Sequence, residues 1–145
     1  YPPCMRVKLL RSNAVAPSKA HDDDVGYDLV FAPEEHELGA ILIWPQQTQR
    51  LLTGVALELS CLGLIADRSS MALKGLHVIG GIIDPGYRGE ISVVIANISD
   101  QARYIQPGDK IAQLLLIPTL SPTVEVVDEL TATMRGAAGF GSSGR

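Results

Sequence analysis

Residues 80–97, GGIIDPGYRGEISVVIAN, decide the fold class of this chain because they combine a tight turn with the clearest strand in the sequence. Asp84 precedes a Pro-Gly pair, which favours extended backbone at the aspartate and a turn immediately after it. Apolar side chains then recur at every second position, which is the period of a β-strand. We predict a β-hairpin, formed by residues 76–83 and 90–97, that holds a carboxylate and the ring of Tyr87 on a rigid turn, as catalytic or binding groups need.

Short strands separated by turns account for most of the remaining sequence. Residues 69–75, SSMALKG, are the best helix candidate, because two serines precede good helix formers and a glycine follows them. Many short strands with few helices predict an all-β sandwich or barrel of jelly-roll type. The strands predicted outside the hairpin are residues 5–10, 40–44, 49–52, 55–59, 64–66, 111–117 and 124–127.

The end of the chain differs in composition from the rest. From residue 131 onward the sequence is rich in Gly, Ser and Ala and has no hydrophobic periodicity, so it cannot bury enough apolar surface to order itself alone. We therefore expect one β core over residues 1–130 and a flexible C-terminal arm over residues 131–145. Arg135 and Phe140 lie in this arm, which gives it the means to dock.

The composition argues against several classes of protein and partner. Hydrophobic content of 46% and charged content of 19% are those of a globular chain, not a disordered one. A net charge of −4 without a basic stripe argues against a nucleic-acid partner. The sequence contains no apolar run long enough to span a membrane, so we expect no membrane partner. Cys4 and Cys61 lack the spacing of metal ligands, and a disulfide between them is left open. We expect an intracellular compartment, cytoplasmic or nuclear.

Three short segments place a charged side chain at a strand edge or turn. The first, GYDL, contains Asp28, which taken alone is typical of an aspartate in a turn or at a strand edge. The second, DRSSMALKG, puts Arg68 before two serines, which predicts either an anion site or an ordinary helix cap by Ser69 or Ser70. The third is the turn at Asp84, where the alternative to a functional carboxylate is an aspartate that caps its own backbone.

Two further segments carry unusual residues near the end of the chain. The fourth, GDKIAQL, contains Gln113, a polar residue in an apolar strand, which is either a satisfied core amide or a ligand contact. The fifth, RGAAGFGSSG, has Phe140 flanked by glycines and Arg135 upstream. Its glycine content alone is typical of a flexible tail, whereas its arginine and phenylalanine suit a lid that stacks on a ring and grips phosphates.

Taken in this order, the five segments resemble the five motifs of the trimeric dUTPase family, and the resemblance extends over residues 7–144. It implies a distorted jelly-roll (β-clip) homotrimer with three active sites at subunit interfaces, each closed by the arm of a different subunit from the one that supplies the turn. It also implies Mg²⁺-dependent hydrolysis of dUTP to dUMP and pyrophosphate. That reaction would keep uracil out of DNA and supply dUMP for dTMP synthesis.

The resemblance also implies a role for each residue of the five segments. Asp84 resembles the residue that orients and deprotonates the water attacking the α-phosphorus, and Tyr87 resembles the ring that packs under the deoxyribose. Asp28 matches the aspartate that holds Mg²⁺ through water. Catalytic roles fall to Asp84, Arg68 and Gln113. Uracil recognition falls to the backbone of Gly81, Ile82 and Ile83 and to stacking by Phe140, and phosphate binding to Arg68, Ser69, Ser70, Gln113, Arg135, Gly141, Ser142 and Ser143.

The second segment departs from the family's usual Pro-Arg-Ser-Gly. This chain has Asp67 in place of the proline and Ser70 in place of the glycine. Asp67 adds a negative charge close to the phosphates, and the sequence offers no account of its benefit. Some family members read uracil with an asparagine where this chain has Val78, so recognition here would rest on the backbone.

Two other functions fit parts of the pattern. The dCTP deaminases share this fold, the RSS-x-A segment and the IDPG turn, but their catalytic glutamate corresponds to Val94 here, which leaves deamination without a general acid or base. A non-catalytic trimer that binds a partner protein is the other alternative. Intact Asp84, Arg68, Gln113 and Arg135 argue against a dead enzyme and leave an added binding role open.

Overall fold

Antiparallel strands dominate the fold. The computed structural model describes residues 5–35 and 39–141, and the predictions for Cys4, Ser142 and Ser143 lie outside these ranges. No helix within the described ranges has the length and apolar character needed to cross a membrane. In chain order the elements are β1 Met5–Leu9, β2 Tyr27–Val30, β3 Ile41–Ile43, β4 Thr48–Leu59, β5 Leu62–Ala66, α1 Ser69–Leu73, β6 Leu76–Ile79, β7 Ile82–Ile83, β8 Glu90–Asn97, β9 Arg103–Ile105 and β10 Lys110–Ile117.

The strands of the described residues form two four-stranded sheets and one two-stranded ribbon. The first sheet has the order β1-β4-β8-β6, the second the order β2-β10-β5-β7, and β3 pairs with β9. Every pairing is antiparallel. Most neighbours within a sheet are distant in sequence, so the chain crosses repeatedly between the sheets, as in jelly rolls. The prediction of an all-β jelly-roll fold with one short helix is confirmed.

The buried faces of the two four-stranded sheets form the core. Alternation is clearest in β8, where Ile91, Val93 and Ile95 are fully buried and the residues between them are half-buried. From the second sheet, β10 contributes Ile111 and Leu114 to the same cluster. Burying one such side chain is worth about 1.5–3 kcal/mol, so this alternating stripe is a principal source of stability.

The predicted hairpin is confirmed for residues 76–79 and wrong for residues 80–83. β6 pairs with β8 as predicted. The chain then turns at Gly80, whose φ of +65° lies in the left-handed region, and β7 pairs with β5 in the other sheet. Gly81 permits this crossing, since a Cβ there would lie 2.2 Å from the carbonyl oxygen of Ile65. Asp84 therefore lies on a loop between the two sheets and not at the tip of a hairpin.

Three other strand predictions differ from the structure. The strand predicted at residues 124–127 is absent, and Val124 and Val126 are both 93% exposed because no neighbouring strand covers them. The strands predicted at residues 49–52 and 55–59 are one strand, β4, with a register shift against β8 where the sequence suggested a break. The short strands β2 and β9 were not predicted, because their order depends on partners distant in sequence.

The segment after β10 contains no regular structure in the part that the structure describes. Residues 118–141 form no helix or strand, and all of them except Gly139 are exposed. The chain there contributes nothing to the buried core.

Candidate active site

Asp28 lies in an ion-pair cluster where β2, β10 and the start of α1 meet. The register of β2 against β10 places Asp28 opposite Gln113. Its Oδ1 lies 3.2 Å from Nε of Arg68, and its Oδ2 lies 3.2 Å from Nζ of Lys110. The Asp28 side chain is only 15% exposed, so two cations hold the carboxylate at a protected position.

Arg68 occupies the N-cap position of α1, where a serine was predicted. The prediction of a cap by Ser69 or Ser70 is wrong, because the backbone of Arg68 is extended and no side chain caps the helix. The Nη1 of Arg68 donates a hydrogen bond to the carbonyl oxygen of Lys110 at 3.2 Å. Arg68 is thus fixed by the cluster around Asp28.

Gln113 supplies an oriented amide beside this cluster. Its Nε2 donates a hydrogen bond to the carbonyl oxygen of Asp67 at 2.8 Å. Its Oε1 lies over Gly26, where a Cβ would come within 2.0 Å of that oxygen, so only glycine leaves room for the amide. Backbone thus engages one of the two N–H groups of the amide nitrogen, while the half-buried side chain still borders a cleft.

A cleft of about 250 Å³, here called the Asp28 cleft, opens next to these residues. A guanidinium, a hydroxyl and an amide line one small space, which suits the binding of phosphate oxygens. Four residues predicted for the site meet there. The lining residues are Asp24, Val25, Gly26, Asp28, Arg68, Ser69 and Gln113.

Arg68 also lines a second cleft of about 530 Å³, here called the Lys74 cleft. Ser70, predicted to bind phosphate, lines this cleft and not the first. Lys74, Arg103 and Lys110 add positive charge, although the whole chain has a net charge of −4. Sequence reasoning missed these three cations. Lys74 and Lys110 lie in the second and fourth segments and Arg103 lies in none, and the contact of Lys110 with Asp28 depends on sheet register.

Asp67, which the sequence left without an account, has defined partners. Its Oδ1 accepts a hydrogen bond from the backbone N–H of Val78 at 2.6 Å, and its Oδ2 lies 2.7 Å from Nδ1 of His77. The His77 contact joins two segments that sequence spacing does not relate, so no sequence signal could have found it.

The Asp84 carboxylate points into solvent on its loop. The turn is closed by the carbonyl oxygen of Asp84, which accepts a hydrogen bond from the N–H of Tyr87 at 3.1 Å. Among the described residues, no hydrogen bond or ion pair engages the carboxylate of this exposed residue. The alternative in which Asp84 caps its own backbone with its side chain is therefore wrong.

The far end of this loop is anchored by Tyr87 and Glu90. The Tyr87 hydroxyl donates a hydrogen bond to the carbonyl oxygen of Glu90 at 2.9 Å. The Glu90 carboxylate accepts hydrogen bonds from Nη1 and Nη2 of Arg11 at 2.9 and 2.6 Å, and from the N–H of Gly54 at 2.9 Å. The hydrogen bonds from Arg11 lower the pKa of Glu90, although burial acts in the opposite direction.

The structure does not bring Asp84 into the Asp28 cleft. Strand β5 lies between them: Ala66 pairs with Gln113 at the cleft, whereas Gly63 pairs with Ile83, the residue before Asp84. At about 3.3 Å per residue, these two points of β5 are about 10 Å apart. A single chain thus presents the two halves of the predicted site at separate ends of one strand.

The residues predicted to read uracil lie beside the Asp84 loop. The carbonyl oxygen of Gly81 accepts a hydrogen bond from the N–H of Ile65 at 2.7 Å. Ile82 is exposed and Ile83 is half-buried, and both belong to β7. These residues lead along the edge of β5 into the Asp84 loop: Ile83 lies opposite Gly63, whereas Gly81 lies beside Ile65, next to the residue that pairs with Gln113.

Of the arm residues predicted for the site, the three that the structure describes, Arg135, Phe140 and Gly141, line neither cleft within one chain. Nε of Arg135 donates a hydrogen bond to the carbonyl oxygen of Ala138 at 2.5 Å, and Phe140 is fully exposed. Phe140 and Gly141 both have positive φ, +48° and +85°. The arm thus carries an unpacked aromatic ring on a local turn.

Comparison with protein families and curated relatives gives one result. The dUTPase family model matches residues 12–144. The deoxyuridine 5′-triphosphate nucleotidohydrolase of Clostridium tetani is 38% identical, over 97% of this chain and 97% of its own length. The enzyme of the same name from Oryza sativa subsp. japonica is 36% identical, over 98% of this chain and 81% of its own length.

Solved structures agree with this result. A variant dUTPase of Staphylococcus bacteriophage 80alpha with dUpNHpp superposes with a TM-score of 0.86 and 29% identity, over 97% of this chain and 98% of that chain. A variant dUTPase from phage phi11 of S. aureus, described with a structural Mg(II) ion, has a TM-score of 0.74 and 29% identity, over 86% of this chain and 97% of that chain. Family model, relatives and structures together show that the chain belongs to the dUTPase family.

Proposed function

We propose how the residues described above share the hydrolysis of dUTP to dUMP and pyrophosphate, the activity that membership of the dUTPase family gives this chain. The observation that carries the proposal is the convergence of Arg68, Ser69 and Gln113 on the Asp28 cleft. Donors of this kind suit the phosphates of a nucleotide, because charge-assisted hydrogen bonds to a guanidinium are strong and directional. Ser70 serves the phosphates from the adjoining Lys74 cleft.

Asp84 is the proposed general base. Its carboxylate is exposed, and its loop is fixed by the Tyr87 turn and by the Glu90 anchor. Deprotonation of the water by a positioned carboxylate would contribute about 10²–10⁴-fold to the rate of attack on the α-phosphorus. Arg68 and Gln113 assist by stabilising the charge that develops on the phosphates.

Asp28 is the proposed protein contact of a Mg²⁺ ion, held through water. One carboxylate is enough for a Mg²⁺ ion that enters with the nucleotide, because such an ion keeps several waters and needs only one or two carboxylates besides the phosphates. Asp28 offers a carboxylate in the cleft, and each of its oxygens keeps lone pairs beyond those facing Arg68 and Lys110. No three His, Cys, Asp or Glu side chains converge on a cage within the described ranges, which fits the same assignment. When bound, the ion would neutralise phosphate charge.

Nucleoside selectivity is proposed to come from the surface around the Asp84 loop. The backbone of Gly81, Ile82 and Ile83 would read the uracil edge, where cytosine presents the wrong donors and the thymine methyl has no room. The Tyr87 ring, held by its bond to Glu90 and packed over Gly89, would lie under the deoxyribose and exclude a 2′-hydroxyl.

A homotrimer with shared sites is proposed because one chain leaves its own site incomplete. Asp84 and the Asp28 cleft lie at opposite ends of β5, so a second copy must supply the missing half. The C-terminal arm over residues 131–145 would close the site from a further copy. There Phe140 would stack over uracil, while Arg135, Gly141, Ser142 and Ser143 would bind the outer phosphates.

The direct test measures pyrophosphate release from dUTP, dCTP, dTTP and UTP. We expect rapid release from dUTP alone, and a loss of about 10²–10⁴-fold in kcat for Asp84→Asn with little change in KM. Asp100→Asn, on an exposed turn after β8, is the matched control and should leave both constants unchanged. Comparable turnover of dTTP, ammonia release from dCTP, or wild-type kcat in Asp84→Asn would contradict the assignment.

A further inference from the structure

Asp67 links the phosphate-binding segment to a strand of the other sheet. One carboxylate oxygen accepts a hydrogen bond from the N–H of Val78 at 2.6 Å, and the other lies 2.7 Å from Nδ1 of His77. The carbonyl oxygen of Asp67 accepts the hydrogen bond of the Gln113 amide at 2.8 Å. A single residue thus contacts β6 through its side chain and β10 through its backbone, immediately before Arg68.

The N–H of Val78 lies on the open edge of β6, where another strand would normally accept its hydrogen bond and where the Asp67 carboxylate accepts it instead. β6 is the outer strand of the first sheet, and outer strands present N–H groups that require partners. Nearby, the N–H of Ile65 donates to the carbonyl oxygen of Gly81 at 2.7 Å. These two hydrogen bonds fasten the end of β5 to the region of β6, and the Asp67 carboxylate supplies one of them.

We propose that Asp67 is a positioning residue for phosphate binding: it fixes the backbone that carries Arg68 and the amide of Gln113. The proposal rests on the role given above to Arg68 and Gln113. Proline, the family's usual residue at this position, has no side-chain acceptor, so this tether is a feature of the present sequence. This tether is the role that we assign to Asp67, for which the sequence alone offers no explanation.

Charge and tether act in opposite directions at Asp67, which makes the proposal testable. A carboxylate adjacent to Arg68 opposes the binding of a polyanion, so removal of its charge alone strengthens binding. Loss of its hydrogen bonds releases Arg68 and Gln113 and weakens binding. Variants that separate the two effects must therefore change affinity with opposite signs.

The experiment measures the dissociation constant of dUpNHpp with Mg²⁺ by calorimetry, together with kcat and KM for dUTP. Asp67→Asn removes the charge and keeps an oxygen acceptor for Val78, and it should bind at least as tightly as the unsubstituted chain. Asp67→Ala removes both and should bind about tenfold more weakly, and its kcat should fall as well, because Arg68 and Gln113 also stabilise the charge that develops on the phosphates. Asp67→Glu keeps the charge but displaces the oxygens, and it should also weaken binding.

Three controls give every outcome a meaning. Asp100→Ala removes an equal charge from an exposed turn and should leave affinity unchanged. Thermal unfolding identifies any variant that fails to fold, and Asp67→Glu then carries the test in place of Asp67→Ala. Arg68→Gln tests the underlying assignment: unchanged affinity in this variant would overturn the role of Arg68 itself. If Arg68→Gln binds weakly but Asp67→Ala and Asp67→Glu bind as tightly as the unsubstituted chain or more tightly, only the positioning role is overturned. The positioning role is also overturned if Asp67→Asn weakens binding as much as Asp67→Ala does.

Discussion

Single residues decide how firmly the Asp84 loop is held, and Glu90 matters most among them. Its side chain is 18% exposed and that of its partner Arg11 is 13% exposed, so the pair is largely desolvated. The same arginine donates from Nη2 to the carbonyl oxygen of Ala32, and Gly54 adds an N–H to the carboxylate. Removing one partner of such a pair is costly, because the other charge stays buried.

We predict that Glu90→Gln lowers the free energy of unfolding by about 2–4 kcal/mol at pH 7. The folded-state pKa of Glu90 is lowered, so this contribution is complete above the ordinary value of 4.5 and is lost as pH falls through the lowered folded value. The difference between variant and unsubstituted chain should therefore shrink in acid. Urea unfolding at fixed protein concentration, at neutral pH and below about pH 4, measures it.

Glu58→Gln is the control for this prediction. Glu58 pairs with Arg6 at 3.0 Å, but the two side chains are 46% and 72% exposed, so solvent screens the interaction. We expect almost no change in stability. An effect in Glu90→Gln as small as in Glu58→Gln would show that the loop anchor is energetically minor.

Among the structural elements, the crossing between β6 and β7 determines where Asp84 lies. Glycines at positions 80 and 81 let the chain leave the first sheet and pass close to Ile65 before it pairs with β5. The backbone approach at Gly81 leaves no space for a side chain. The position of the Asp84 loop is therefore set by backbone packing between sheets.

Gly81→Ala should destabilise the fold by about 2–4 kcal/mol, because its Cβ would lie 2.2 Å from a carbonyl oxygen and the crossing must open. Gly86→Ala, in the turn that follows Asp84, meets no atom within 4 Å and should cost little. Denaturant unfolding of the two variants gives the comparison. Equal stability would show that the crossing is not tightly packed.

The alternation in β8 and the apolar run of β10 were predictable from the sequence. A strand buried on one face has apolar residues at every second position, and a strand buried on both faces has a continuous apolar run. The hairpin failed at Gly81 because the partner of β7 is chosen by tertiary packing. The order of the motifs singles out Asp28, Arg68 and Gln113 as candidate site residues, and in the structure they line one cleft. The contacts of Lys110 and His77 were not, because they depend on strand register and on a side chain replacing a strand partner.

For the molecule as a whole, the separation of Asp84 from the Asp28 cleft makes a shared site testable. We predict that Arg68→Gln and Asp84→Asn are each nearly inactive, and that co-expression in equal amounts restores about one quarter of the sites. The quarter arises because a site regains function only when the chain with intact Asp84 neighbours the chain with intact Arg68.

A matched control separates this result from contamination or exchange. The double variant Arg68→Gln/Asp84→Asn, co-expressed equally with the unsubstituted chain, should keep about one quarter of the sites if they are shared and about half if each chain is self-sufficient. No recovery in the mixed single variants, with half activity in this control, would refute shared sites.

The uncovered segment that follows β10 has a consequence for kinetics. From Ile117 to Arg135 the chain can span about 60 Å when fully extended, so Arg135 can reach far from the core while joined to it. In the proposed trimer, closure of the arm over a bound nucleotide would then be a first-order event, governed by an effective concentration in the millimolar range for a short flexible tether. Dilution would leave that rate unchanged, whereas lengthening the tether would slow it, and a detached arm peptide could replace it only at comparably high concentration.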